Sequence, residues 1–130
     1  KRSARYFDGW FPSGPGSGQD WRKSWKKLKV YAEEAGRDPS EIIGAAYVTL
    51  SINKNVSYAE KELDEYLANY YLRPADQIRN EQYSVAGDRA TVTAWLNEFI
   101  EAGARHLCVR FTGNDNQALM DELARMREQF

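Results

Sequence analysis

Ile42-Ile43-Gly44-Ala45-Ala46-Tyr47-Val48-Thr49-Leu50-Ser51-Ile52 is almost unbroken in apolar and small residues. β-Branched and aromatic side chains fill it, and Gly44, Ala45 and Ala46 let a neighbour approach closely. A strand with one wet face alternates polar and apolar positions. This run does not alternate, so it reads as a strand buried on both faces, the pattern of a parallel sheet. Parallel strands are joined by helical crossovers, and the flanking sequence supplies them.

Upstream, Tyr6 to Phe11 reads as a short aromatic strand ending at Pro12, followed by the Gly/Ser/Pro loop Ser13–Gly18. Asp20 is placed to cap a helix from about Trp21 to Ala35, with Gly36 at its C′ position. Downstream, Ser57-Tyr58-Ala59-Glu60 has capping-box spacing and opens a helix to about Tyr71. Pro74 starts a shorter helical piece that fades before Ser84. Asp88 caps a helix to Ala102, Gly103 ends it, and His106 to Phe111 is a further strand. Thr112-Gly113-Asn114-Asp115 forms a turn and cap before a helix from about Gln117 to Arg127. The order strand, helix, strand, helices, strand, helix predicts an α/β fold with parallel strands and right-handed crossovers. Three strands are too few to close a (β/α)8 barrel and leave two bare sheet edges.

The 130 residues allow one compact domain at most, and an apolar fraction of 42% with 13% aromatic residues excludes a disordered chain. Eighteen basic against nineteen acidic residues leave no positive field for nucleic acid. The basic cluster Arg22-Lys23-Ser24-Trp25-Lys26-Lys27 is the solvated face of a helix whose apolar stripe is Trp21, Trp25, Leu28 and Ala32. Cys108 is the single cysteine, which favours a reducing compartment, and no signal peptide is visible; a cytoplasmic location is the expectation. The longest weakly polar run, Ile42–Ile52, is about half of what a membrane helix needs. No CxxC, HExxH or carboxylate cluster has metal-ligand spacing, so no metal is expected. A chain that starts at Lys1, almost inside a structural element, fits a truncated product.

Three segments in order, Asp8-Gly9-Trp10, Gly36-Arg37-Asp38-Pro39 and Ala86-Gly87-Asp88, carry a resemblance over nearly the whole chain. They resemble the strand-six signature, the turn after the following helix, and the cap before the last long helix of luciferase-like flavin- or deazaflavin-dependent monooxygenases. That family is built on a TIM (β/α)8 barrel. The resemblance implies that residues 1–130 form a single partial domain, the C-terminal segment of such a barrel. Tyr6–Phe11, Ile42–Ile52 and Leu107–Phe111 are then strands six, seven and eight. It also implies an oxidoreductase acting on a small organic substrate with FMN or a deazaflavin in the intact enzyme. The cofactor phosphate and most of the flavin ring would be held by the missing N-terminal barrel portion, which also carries much of the dimer interface. This chain alone is therefore expected to bind no cofactor and to be inactive. The rival expectation is a small non-catalytic α/β module that forms a homo-oligomer through open sheet edges.

Barrel logic puts chemistry at the C-terminal ends of the strands. Trp10 and Phe11 end strand six and are candidates for lining the cofactor or substrate pocket, with packing on a helix as the alternative for Trp10. Arg110 is a charge in the apolar run Leu107–Phe111 and needs either an anionic ligand or a structural ion pair. His106, the only histidine, starts its strand on the stability face and is expected to be structural. Asp8 is expected to pair with Arg5 or to satisfy backbone amides. Tyr47 and Thr49 are expected in the barrel core, and Ser51 and Asn53 stand nearer the pocket. Tyr58, Tyr66, Tyr70 and Tyr71 read as helix-to-sheet packing. The glycines at 14, 16 and 18 lack P-loop or Rossmann spacing and are expected to belong to a mobile loop, with a lid role open to it. No catalytic residue is assigned.

Overall fold

The computed structural model describes residues 1–128. In chain order the elements are α1 (Arg2–Tyr6), β1 (Gly9–Trp10), α2 (Gly18–Glu34), a 3-10 turn (Pro39–Glu41), β2 (Ile43–Ile52), α3 (Val56–Tyr71), α4 (Ala75–Arg79), β3 (Ser84–Gly87), α5 (Arg89–Ala102), β4 (His106–Phe111) and α6 (Asn116–Arg127).

The long strand β2 is the axis of a four-stranded parallel sheet. Its odd-numbered amides all donate toward one edge: Ile43 to Asp8, Tyr47 to Pro12, Thr49 to Tyr83 and Asn53 to Gly87. So β1 and β3 share that edge, β1 beside the start of β2 and β3 beside its end. The opposite edge belongs to β4, where Arg105 and Thr112 donate to the Gly44 and Leu50 carbonyls.

Handedness then dictates the layers. The steps from β1 to β2 and from β3 to β4 run one way across the sheet, and the step from β2 to β3 runs the other. Right-handed crossovers must therefore put α2 and α5 on one face and α3 with α4 on the other. The packing follows this rule. Even-numbered Ala46, Val48 and Leu50 are buried with Trp21, Trp25 and Leu28 of α2, Val92, Leu96 and Phe99 of α5, and Met126 of α6. On the odd-numbered face, Ala86 packs with Ala59, Leu63 and Leu67 of α3 and Ile78 of α4. Nearer the start of β2 and β4 that second face is open, and Ile43, His106 and Cys108 are exposed on it.

Four elements differ from the sequence reading. Residues 6–11 are not a continuous strand. Arg2–Tyr6 is helical, and only Gly9–Trp10 pairs with β2. The cause is distant in sequence: Arg37 Nη1 donates to the carbonyls of Ala4 (3.4 Å) and Phe7 (2.9 Å), satisfying the end of α1. Helix α2 starts earlier than Asp20. Ser17 is its cap, accepting from the Gln19 amide at 3.2 Å, while Asp20 closes the box by accepting from the Ser17 amide. Helix α3 is capped by Asn55, which accepts from the Tyr58 amide at 3.2 Å, and not by Ser57. Strand β3 was not expected at all; four residues show too little pattern, and pairing with Thr49–Ile52 is what orders them.

The caps at Asp88, Gly103 and Asp115 stand as read. Asp88 and Asp115 accept from the Thr91 and Ala118 amides, and Gly103 ends α5 at φ 106°. Two glycines of the Ser13–Gly18 loop, Gly14 and Gly18, are buried. A Cβ at Gly18 would lie 2.4 Å from the Glu98 carbonyl carbon, and one at Gly14 would lie 2.9 Å from the Tyr83 hydroxyl.

Candidate functional site

Because all four strands are parallel, their C-terminal ends meet on one side of the sheet, where open α/β folds collect ligands. On the odd-numbered face, β2 contributes Tyr47, Thr49 and Ser51. β4 contributes Cys108 and Arg110, in register with Tyr47 and Thr49 respectively. Phe11, just past β1, joins this face and meets Tyr47 edge-on at 5.9 Å between ring centroids.

Arg110 is the centre of the arrangement. Its guanidinium carbon lies 4.9 Å from the ring centroid of Tyr47 and 4.3 Å from that of Tyr70, inside cation–π range. Nη1 donates to the Tyr71 hydroxyl at 3.2 Å and Nη2 to the Tyr70 hydroxyl at 3.5 Å. The Tyr71 hydroxyl in turn donates to Gln82 Oε1 at 2.8 Å. Tyr66 stacks on Tyr70 at 5.8 Å and extends the aromatic wall along α3. Burial opposes the Arg110 charge, but the Tyr71 bond and the facing Tyr47 and Tyr66 phenols outweigh it and hold the pKa above the usual guanidinium value. Burial also pushes the Tyr47 phenol up, against the lowering effect of Arg110.

A second polar group lies at the ends of β2 and β4. Glu62 of α3 accepts through Oε2 from Ser51 Oγ at 2.5 Å and from Thr112 Oγ1 at 3.0 Å. This carboxylate fastens α3 to both strands. Thr49, opposite Arg110, is buried, and its hydroxyl has no partner among the described residues.

The structure thus brings Phe11 and Arg110 to one face, together with Tyr47. Trp10 goes elsewhere. It stacks on Trp25 (5.8 Å, 12°) and tilts against Trp21 (5.2 Å), on the helix-covered side of the sheet. Arg110 forms no carboxylate pair among the described residues; its partners are phenols. His106 is exposed at the start of β4 rather than bonded in a core. Asp8 is an exposed partner of Arg37 at 3.5 Å, not of Arg5. No local spacing in the sequence marks Glu62, and the helical spacing of the tyrosines signals packing alone. Their only available signal was the unexplained charge at Arg110. No group of metal-ligating side chains occurs among the described residues.

Comparison with solved structures places this arrangement in a known fold. An F420-dependent secondary alcohol dehydrogenase, solved with an F420–acetone adduct, matches 95% of this chain at a TM-score of 0.73 and 20% identity. The coenzyme F420-dependent tetrahydromethanopterin reductase of Methanopyrus kandleri matches 95% at 0.65 and 19% identity. Riboflavin lyase, solved with modified FMN and riboflavin, matches 98% at 0.69 and 12% identity.

The fold is that of part of a luciferase-like barrel. The chain spans only 43%, 45% and 40% of those three structures. No family sequence model matches it, and no curated protein is significantly similar to it in sequence. In such a barrel the odd-numbered face of β2 and β4 is the side away from the helical ring formed by α2 and α5. No helix of the described residues is long and apolar enough to cross a membrane.

Proposed function

We propose that this chain is the C-terminal portion of a luciferase-like oxidoreductase that uses FMN or a deazaflavin on a small organic substrate. The observation that carries the reading is the aromatic and cationic face made by Phe11, Tyr47 and Arg110 at the C-terminal side of a parallel sheet with this fold. When bound, the cofactor would supply the redox step, oxygenation with a flavin or hydride transfer with a deazaflavin. The residues present suit one part of such a group. Phe11 and Tyr47 offer flat apolar surface to a ring system, and Arg110 lines the pocket beside it. This chain's own contribution is to flank and orient the ring and to exclude water from one side of it.

In this reading the open lower face, around Ile43 and Cys108, is covered by the N-terminal barrel portion, which would also carry much of any homo-oligomer interface. The single cysteine, Cys108, supports a reducing, cytoplasmic setting in this reading. The isolated 130 residues are inactive and bind no cofactor.

The test is a titration of FMN and a deazaflavin into this chain and into the longest natural product that contains it, with the intact mass of that product measured. Binding by a product of roughly twice this length or more, with this piece inert, supports the reading. A native product of 130 residues that binds neither cofactor removes it. One observation favours the second reading, a non-catalytic module that dimerises: β4 is paired only on its β2 side among the described residues. Sedimentation as a stable dimer, with no cofactor bound, would select that alternative.

A further inference from the structure

We propose that Arg110 and its surrounding tyrosines form a subsite for the carboxylate of a small organic acid. The inference rests on reading this face as the ligand-facing one, and it adds a ligand class which that reading does not specify. The argument begins with the donors. A guanidinium carries five N–H groups, and Arg110 directs two of them to Tyr71 and Tyr70. The other three have no acceptor among the described residues, although the side chain is half-buried and its charge is retained. A cation held in such a place without an anion is poised for one.

Geometry narrows the class. The rings of Tyr47 and Tyr70 lie 4.9 and 4.3 Å from the guanidinium carbon as cation–π partners, and the free N–H groups point outward in the guanidinium plane. A ligand must then arrive in the plane of the fork. In-plane approach suits two coplanar oxygens, the bidentate pattern of a carboxylate. The hydroxyls of Tyr70 and Tyr71 brace the fork, and Gln82 fixes Tyr71. The guanidinium is thereby oriented before any ligand arrives, which lowers the ordering cost of binding. Phe11, Tyr66 and Tyr70 provide aromatic surface for the apolar body of the acid. A phosphate dianion finds a poorer match, because the contacts of Arg110 among the described residues are with phenols and supply no second cation.

The experiment uses the 130-residue chain and follows the side-chain Nε–H resonance of Arg110 by 1H–15N NMR, assigned with Arg110→Lys. Sodium benzoate and inorganic phosphate are the probes, titrated separately at constant ionic strength. The expected result is a saturable shift with benzoate at a dissociation constant of about 1 mM or tighter, and binding of phosphate weaker by about tenfold. Arg110→Lys should abolish the saturable response seen through neighbouring backbone amides, because an ammonium keeps the charge but loses the fork. Tyr70→Phe removes one brace without removing the ring and should weaken benzoate severalfold; it serves if the lysine variant fails to fold. No saturable shift with either probe overturns the subsite, and tighter binding of phosphate than of benzoate overturns its carboxylate class. A failed cofactor titration of the longer protein beside a positive benzoate titration would remove the oxidoreductase reading and leave the subsite. The reverse pattern would do the opposite.

Discussion

Glu62 Oε2 on α3 accepts a 2.5 Å hydrogen bond from Ser51 Oγ at the end of β2. The same oxygen accepts from Thr112 Oγ1 beyond β4, so a single carboxylate joins one helix to two strands that are 62 residues apart at Leu50 and Thr112. Ser51 and Thr112 are both buried. Glu62→Ala would leave the Ser51 hydroxyl without its acceptor and Thr112 with only the Leu50 carbonyl at 3.4 Å, and we expect a loss of about 1–3 kcal/mol in urea unfolding. Ser51→Ala should cost less, and the double variant should cost less than the sum. Strict additivity would show that the three groups do not act as one unit.

Two glycines should respond oppositely to what helix propensity suggests. Gly18 lies in the first turn of α2, where alanine ordinarily stabilises by up to about 1 kcal/mol. Here its Cβ would lie 2.4–2.6 Å from the Glu98 and Phe99 backbone, which cannot yield without separating α2 from α5. Gly18→Ala should therefore destabilise, by about 1–3 kcal/mol. Gly36 has open space around it but a φ of 73°, so Gly36→Ala should cost only the left-handed strain, about 1–2 kcal/mol. Thermal unfolding of both variants decides the point. A stabilised Gly18→Ala would mean that the two helices are not in close contact.

Acid should weaken the fold through its capping carboxylates. The Lys23 and Ser17 bonds to Asp20, the Ser40 bonds to Asp38 and the Thr91 bonds to Asp88 all lower those pKa values, and Arg89 with Arg125 lowers that of Glu122. A group whose folded pKa is depressed binds fewer protons in the folded state than in the unfolded one. Its contribution is complete at neutral pH and fades as pH falls through about 4 and below. Asp88→Asn keeps an amide oxygen for the Thr91 amide but no longer titrates. It should be close to the parent in stability at pH 7 and lose less between pH 7 and pH 3. An unchanged acid limb, read from urea midpoints, would show that Asp88 does not contribute to it.

What local sequence revealed was governed by local forces. The apolar run of β2, the Gly103 stop and the Asp88 and Asp115 caps are short-range chemistry, and each stands where the pattern put it, although β2 is buried on both faces only over Val48–Ser51. The helical turn at Arg2–Tyr6 depends on Arg37, some thirty residues away, and Ser84–Gly87 becomes a strand only against β2. For the site, a lone charge between Val109 and Phe111 was enough to single out Arg110. Its partners were not legible, because Tyr70 and Tyr71 reach it only after α3 crosses to the second face. That crossing follows from the position of β3, the strand with the least sequence signal.

The face on which Trp10 lies also escaped the sequence, since a two-residue strand has no parity to read. Trp10 and Phe11 are neighbours that point apart, one into the Trp21–Trp25 cluster and the other toward Tyr47. Their substitutions should separate accordingly. Trp10→Phe should cost stability, on the order of 1–2 kcal/mol, and leave the benzoate response of Arg110 unchanged. Phe11→Ala, at a side chain that is 58% exposed, should barely affect stability but weaken that response. Trp21 sets the upper scale. It is fully buried, and its Nε1–H donates to the Ala45 carbonyl at 3.1 Å, so Trp21→Ala should cost about 3–5 kcal/mol. Urea midpoints beside NMR titrations test all three. A weakened benzoate response in Trp10→Phe at full stability would return Trp10 to the ligand side.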